Sequence, residues 1–447
     1  MSISIWSVLV VILMLGLLVT VHELGHFWVA CLLKIKAYEV SIFVGPKLVS
    51  WKRNGVDYSI RCLPFGAYVR FTEIAEDGSA IKSDDPSELI NQPRWKRLLV
   101  ALAGPFMNMI LGILLFIIFF CVSGMSSLEV GPAFEGTQLY AQEYTYGDKI
   151  VEINGHKVFT YLDFFYEMND ANPMDEMELV LKSDETGKTY ELTLTPEIYS
   201  RPMLGIVHLD GTDNKYNGWE IIEVNELQNN GNPVLEVGDY LISIDGYQVD
   251  TEEFDDYFYS LEAGDTVTLK YNRDGEEYEA ESQMTMITGA NDRGVRVVRY
   301  DVNTPSEFLK AVGYSCLMPL TVVNVSIKSI GDVFEGEEEV YNMVSGPVGV
   351  TSVVSDVVDN KDEETEDKVN SLLMLAAVIS IGLMFTNMLP IPGLDGIQVI
   401  LLIVEMIIGH KLSERSENAI NVVGFFMLLG LVLFAFASDF IRIFKGG

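Results

Sequence analysis

A chain of 447 residues is long enough for several domains, and hydrophobic side chains make up 49% of it. The net charge is −34, with basic residues gathered in 33–97 and a strong acidic excess in 122–370. That pattern excludes a nucleic-acid footprint and gives a long middle segment that stays soluble and avoids anionic lipid. The four cysteines (Cys31, Cys62, Cys121 and Cys316) are scattered and form neither a disulfide framework nor a thiolate metal site.

Residues 1–34 read as a first transmembrane helix. It lacks the basic start of a signal peptide and is too long for one, so it is expected to be retained. Its only acidic, basic or imidazole side chains between residues 3 and 33 are His22, Glu23 and His26. Histidines at i and i+4 share one helix face and can share a cation, and the glutamate beside them is placed to act on a metal-activated water. A charged group at the bilayer centre costs at least ~2.5–3.5 kcal/mol, so groups buried there are expected to have a partner and a task.

Residues 35–97 begin with alternating segments at 38–42, 48–51, 58–61 and 68–71. Gly45-Pro46, Asn54-Gly55 and Pro64-Phe65-Gly66 separate them, which predicts a small antiparallel sheet. Residues 73–93 read as a loop. The second span follows at 98–122 and carries Gly104-Pro105 and Asn108, features of close helix packing in membranes. Lys34, Lys36, Arg94, Lys96 and Arg97 flank both spans, which places 34–97 in the cytoplasm and 122–370 outside it.

A weak repeat occupies the acidic segment. Residues 147–158 align with 238–249, 91 positions later, with Gly147-Asp148, Ile153, Gly155 and Val158 matching Gly238-Asp239, Ile244, Gly246 and Val249. Each copy predicts a strand, a tight Asn-Gly or Asp-Gly turn, a helix and further strands, and the pattern resembles PDZ domains, here at 126–200 and 214–290. Residues 300–368 mix apolar residues with Ser, Asn and Lys, which predicts an amphipathic surface helix rather than a span, then Ser345-Gly346-Pro347 and an acidic loop.

The third span, within 369–396, ends in Asn387-Met388-Leu389-Pro390-Ile391-Pro392-Gly393-Leu394-Asp395-Gly396. Two prolines break the helix at membrane depth, where Asp395 needs a cation. Residues 397–447 supply a cytoplasmic-side segment and the fourth span. With four spans alternating, Asp395 returns to the depth of His22 and His26. Two imidazoles and one carboxylate leave a fourth tetrahedral position for water, the open geometry of catalytic zinc. Asn387 reads equally as a substrate or oxyanion donor and as a helix-end cap.

These motifs together resemble the site-2 protease family, the RseP-type bacterial intramembrane zinc metalloproteases. The resemblance implies a multi-pass α-helical membrane protein with about four transmembrane helices, a small cytoplasmic-side β-sheet and two tandem extracytoplasmic PDZ (α+β) domains. It further implies Zn2+ held by His22, His26 and Asp395, Glu23 as the catalytic acid and base, and Asn387 as a substrate-binding residue. The loop strands would pair edge to edge with an extended substrate segment. Substrates would be single-span membrane proteins in the bacterial plasma membrane, such as pre-trimmed anti-sigma factors or signal peptide remnants, cut in regulated intramembrane proteolysis. The partners are these substrates and the lipid bilayer, with no nucleic acid. A non-catalytic PDZ-bearing scaffold and a metal transporter are the alternatives.

Overall fold

The computed structural model describes residues 4–73, 84–209, 216–225, 228–335, 346–360 and 364–445. Ser345 and the centre of the expected 73–93 loop lie outside the described residues. Two bodies are distinct. One comprises Met1–Leu128, Val158–Tyr166 and Val298–Gly447, and the other Glu129–Lys157 and Glu167–Val297.

The first body is built on long apolar helices. Helix α1 (Ile5–Leu32) is capped by Ser4, whose hydroxyl accepts from Ser7 N. After it come two long antiparallel strands, β1 (Glu39–Arg53) and β2 (Val56–Arg70), and then α2 (Arg94–Ser123). Each strand folds back on itself, with Phe43 and Gly45 in β1 and Gly66 in β2 at positive φ. The register therefore places Glu39–Ile42 between two partners, 57–60 on one side and 67–70 on the other. Glu39, only 5% exposed, ties the layers together through Arg61 (2.9 Å), Arg70 (3.2 Å) and Lys47 (3.2 Å).

Two six-stranded sheets make up most of the second body, with most of β3 and β16 assigned to the first. The first runs β16 (Val297–Tyr300), β3 (Met125–Val130), β4 (Lys149–Ile153), β6 (Met177–Lys182) and β7 (Thr189–Leu194), with β5 (His156–Lys157) beside β4. The second runs β14 (Glu276–Gln283), β13 (Thr266–Arg273), β11 (Tyr240–Ile244), β10 (Trp219–Val224) and β9 (Ile206–Leu209), with β12 (Tyr247–Gln248) beside β11. Between them β8 (Ile198–Met203) pairs with β15 (Thr285–Ala290). The first sheet is thus completed by a strand that arrives only after the whole second sheet. Alternation explains the strands. In β6 the residues Met177, Leu179 and Leu181 are fully buried while their neighbours face out. Both repeat copies make the same turn, Asn154-Gly155 and Asp245-Gly246, with positive φ at both positions, the twist a two-residue hairpin favours. Helices α3 (Tyr161–Asp170) and α4 (Glu252–Phe258) follow these turns, and Phe254 of α4 sits in the core with Ile221, Leu241 and Leu269.

Among the described residues, five helices are long and apolar enough to cross a membrane, one more than the four expected. The addition is α5 (Pro305–Glu335), anticipated as a surface helix. Its scattered polar residues find partners inside the helical body. Thr321 donates to Asp163 (2.7 Å), Tyr166 donates to Asp332 (2.8 Å), and Thr160 bonds Thr321 (3.0 Å). Its length and composition suffice for a span, and these polar groups are satisfied by protein. Helices α6 (Pro347–Val358), α7 (Thr365–Met388), α8 (Asp395–Ile408) and α9 (Glu414–Lys445) complete the body.

Candidate metal centre

Helix α1 stacks His22 and His26 one turn apart, 7% and 8% exposed, with ring centroids 4.9 Å apart. Helix α2 crosses directly behind them. A Cβ on Gly104 would lie 2.3 Å from His26 Nε2 and 2.6 Å from His22 Nε2, and one on Gly25 would lie 2.5 Å from Ala103 O. Only glycines permit this approach. Pro105 sits inside α2 and, lacking an N–H, leaves a carbonyl of the preceding turn without its helical donor.

Asp395 is the first residue of α8, reached by a break after Met388 that contains Pro390 and Pro392. The return is tight, since a Cβ on Gly396 would lie 2.3 Å from Leu389 O. Helix α8 is held on α2 by Val399 and Leu402 packing on Ala101. Its far end is pinned by Glu405, 2% exposed, against Arg97 (3.3 Å) and Arg94 (3.7 Å). A carboxylate at a helix N-terminus also faces the positive end of the helix dipole.

This arrangement brings residues 373 positions apart into contact. Asp395 Oδ2 lies 3.0 Å from His22 Nε2 and 3.3 Å from His26 Nε2, and the two Nε2 atoms are 3.2 Å apart. The remaining ring nitrogens determine the tautomers. His26 Nδ1–H donates to Val100 O at 2.7 Å. His22 Nδ1 is 3.4 Å from the Asn108 side-chain amide, whose Oδ1 is otherwise a buried acceptor without a partner. With the amide turned so that Oδ1 accepts from His22 Nδ1–H, His22 takes the same tautomer as His26. Both Nε2 atoms then present lone pairs to each other and to a carboxylate oxygen. In these tautomers the three groups offer acceptor atoms that fit a cation, and their ligand atoms all lie within 4.8 Å of one another.

Glu23 stands beside this cluster and accepts from Val69 N (3.1 Å), in the outer segment of the small sheet. A cavity of about 430 Å³ opens alongside, bounded by Glu23, His26, Val69, Arg97, Asp395 and Glu405. Asn387 is in the last turn of α7, half-buried, and is not part of the metal-competent group.

The profile describing Peptidase family M50 matches residues 10–431. The chain belongs to that family. Relatives named "Putative zinc metalloprotease" include one from Clostridium acetobutylicum, 27% identical over 436 residues and covering 98% of both chains. Another, from Thermotoga maritima, is 26% identical over 504 residues, covering 95% of this chain and 96% of its own. One from Clostridium perfringens is 25% identical, covering 95% of each. With the buried His/His/Asp cluster on apolar helices, M50 membership makes this an intramembrane zinc metalloprotease. The scaffold and transporter alternatives give way to hydrolysis. Two contacts at the site have no assigned role in the sequence reading: Asn108 beside His22, and Val69, whose amide meets Glu23 from 46 residues away. A lone polar residue one turn after Gly104 was the available signal for the first; no local signal exists for the second.

Proposed function

We propose that His22, His26 and Asp395 hold Zn2+ and that Glu23 is the acid and base for hydrolysis of peptide bonds within single-span membrane proteins. The observation carrying this reading is the meeting of two imidazole Nε2 atoms and one carboxylate oxygen, 3.0–3.3 Å from one another, beside Glu23. Zinc bound there would polarise the scissile carbonyl and bring the pKa of its water near ~7. Glu23 takes the proton of the attacking water and returns it to the leaving amine. Asn108 and Val100 O hold the imidazoles in the tautomers that expose Nε2. The outer strand segment, 67–70, offers an edge for an extended substrate, since a helix must be unwound before its peptide bonds can be attacked. Asn387 contacts that substrate from the end of α7.

The positive flanks of the first two spans support a cytoplasmic position for the small sheet and the metal centre, with the two larger sheets on the other side as PDZ domains. There they screen substrates, admitting those whose outer domain an earlier cut has removed, such as anti-sigma factors or signal peptide remnants. The test compares wild type with Glu23→Gln on a model single-span substrate, with zinc measured in both. The variant is expected to keep its zinc and lose cleavage by about 10²–10⁴-fold. Equal cleavage by the two proteins rules this reading out.

A further inference from the structure

A second concavity, of about 610 Å³, is lined only by apolar side chains of α1, α2 and α7. It plays no part in holding the metal. Its floor is a stripe on α2 from Leu99 through Leu102 and Phe106 to Met109, with Leu33, which caps the end of α1, and Met388 of α7 among its walls. Ten residues of helix rise ~15 Å, the depth of one leaflet in a ~30 Å hydrocarbon core. Water has no polar partner in such a groove, so in a membrane hydrocarbon fills it. A helix ~10–12 Å across would exhaust this volume in little more than one turn, whereas an acyl tail can run its whole length.

The polar end of the groove is cationic. One turn before Leu99, on the same α2 stripe, stands Lys96, whose Nζ donates to Leu33 O at 3.3 Å. Its ammonium lies 5.8 Å from the ring centre of Trp95, an indole 52% exposed, as expected of a side chain at headgroup level. Lys34, directly after Leu33, is exposed and has no side-chain partner among the described residues. Unlike Arg94 and Arg97, which are engaged with Glu405, these two lysines face no carboxylate among the described residues.

We propose that this groove seats one anionic phospholipid, with an acyl tail along the α2 stripe and its phosphate at Lys34 and Lys96. The lipid braces the last turns of α7, where Met384 and Met388 form one wall, just before the break that delivers Asp395. The inference rests on the membrane location of these helices and is independent of which metal or substrate the site takes.

Native mass spectrometry of the full chain in mild detergent, with equal amounts of phosphatidylglycerol and phosphatidylcholine of identical tails, tests it. Wild type is expected to retain one phosphatidylglycerol with a preference of about tenfold or more, from two cationic contacts. The double variant Lys34→Glu/Lys96→Glu should lose that preference while keeping its metal content. Leu99→Trp, which fills the groove at a half-exposed position, should lose both lipids. Equal retention of the two lipids by wild type overturns the proposal, as does a preference that survives the charge reversal. If Leu99→Trp leaves lipid retention intact but removes photocrosslinking of a single-span substrate to the groove, a helix occupies it and the lipid assignment fails. Should Leu99→Trp not fold, the lysine pair alone decides.

Discussion

Gly104 and His26 are so close that a Cβ on the glycine would sit 2.3 Å from the imidazole Nε2. An imidazole of the metal-competent cluster is thus positioned from behind by the backbone of another helix. Gly104→Ala must push α2 away from α1 or turn both rings, and either movement spoils the ligand triangle. The expected outcome is a loss of metal affinity of about 10–100-fold, the size seen when ligand support is removed, measured as zinc retained against a competing chelator. Retention equal to wild type would show that the helices can separate without disturbing the rings.

Asn108 supports His22 through a hydrogen bond to Nδ1. Asn108→Ala is expected to lower metal affinity about 10-fold or more, while Asn108→Asp, which keeps an acceptor facing Nδ1–H, restores most of it. Zinc titration distinguishes this from a packing role, for which the aspartate would be no better than the alanine.

A bound ion stabilises the folded state that holds it. At a concentration 1,000 times the dissociation constant the stabilisation is about 4 kcal/mol. Removing metal with a chelator should therefore lower the thermal midpoint of wild type. His22→Ala and Asp395→Ala should show no such drop, because neither retains three ligands. A chelator-induced shift in the variants equal to that of wild type would place the stabilising ion elsewhere.

The small sheet carries a pH dependence of its own. Burial raises the Glu39 carboxyl, but hydrogen bonds and charge from Arg61 and Lys47 outweigh it and hold the group below the usual carboxylate range. A depressed pKa contributes stability that is present above the unfolded value, 4.5, and is lost as pH falls through the folded one. Amide protection in 39–70 should thus be constant near neutrality and fall only below about pH 4. Glu39→Gln should flatten this acid limb and weaken the sheet at pH 7.

Much of the site could be read in the chain because the membrane makes polar residues conspicuous. His22, Glu23 and His26 stand alone in an apolar run, and Asp395 follows two prolines at membrane depth, so each asks for a partner. Gly104 and Asn108 were visible but ambiguous, since small and polar residues also serve ordinary helix packing. The contact of Val69 N with Glu23 depends on a sheet that folds back twice, and nothing near either residue announces it. The strands of the repeat were legible from period-two alternation and the Asn-Gly and Asp-Gly turns. Partnership of β3 with β16 was not, because pairing across 167 residues leaves no local mark. The partners of helix α5 were equally out of view: its Thr and Asp residues look like a wet face until Asp163 and Tyr166 are seen to meet them.

The late arrival of β16 has a consequence for biosynthesis. A ribosome reaches Val297 only after passing Val130 by 167 residues, which at ~5–20 residues per second takes roughly 8–33 s. By the end of that interval every strand of the inserted sheet has been made, and it is free to close while the outward side of β3 is still an open edge. Maturation is therefore ordered from the inside of the chain outward, and a nascent chain halted before Val297 exposes a strand ready to pair with the wrong neighbour.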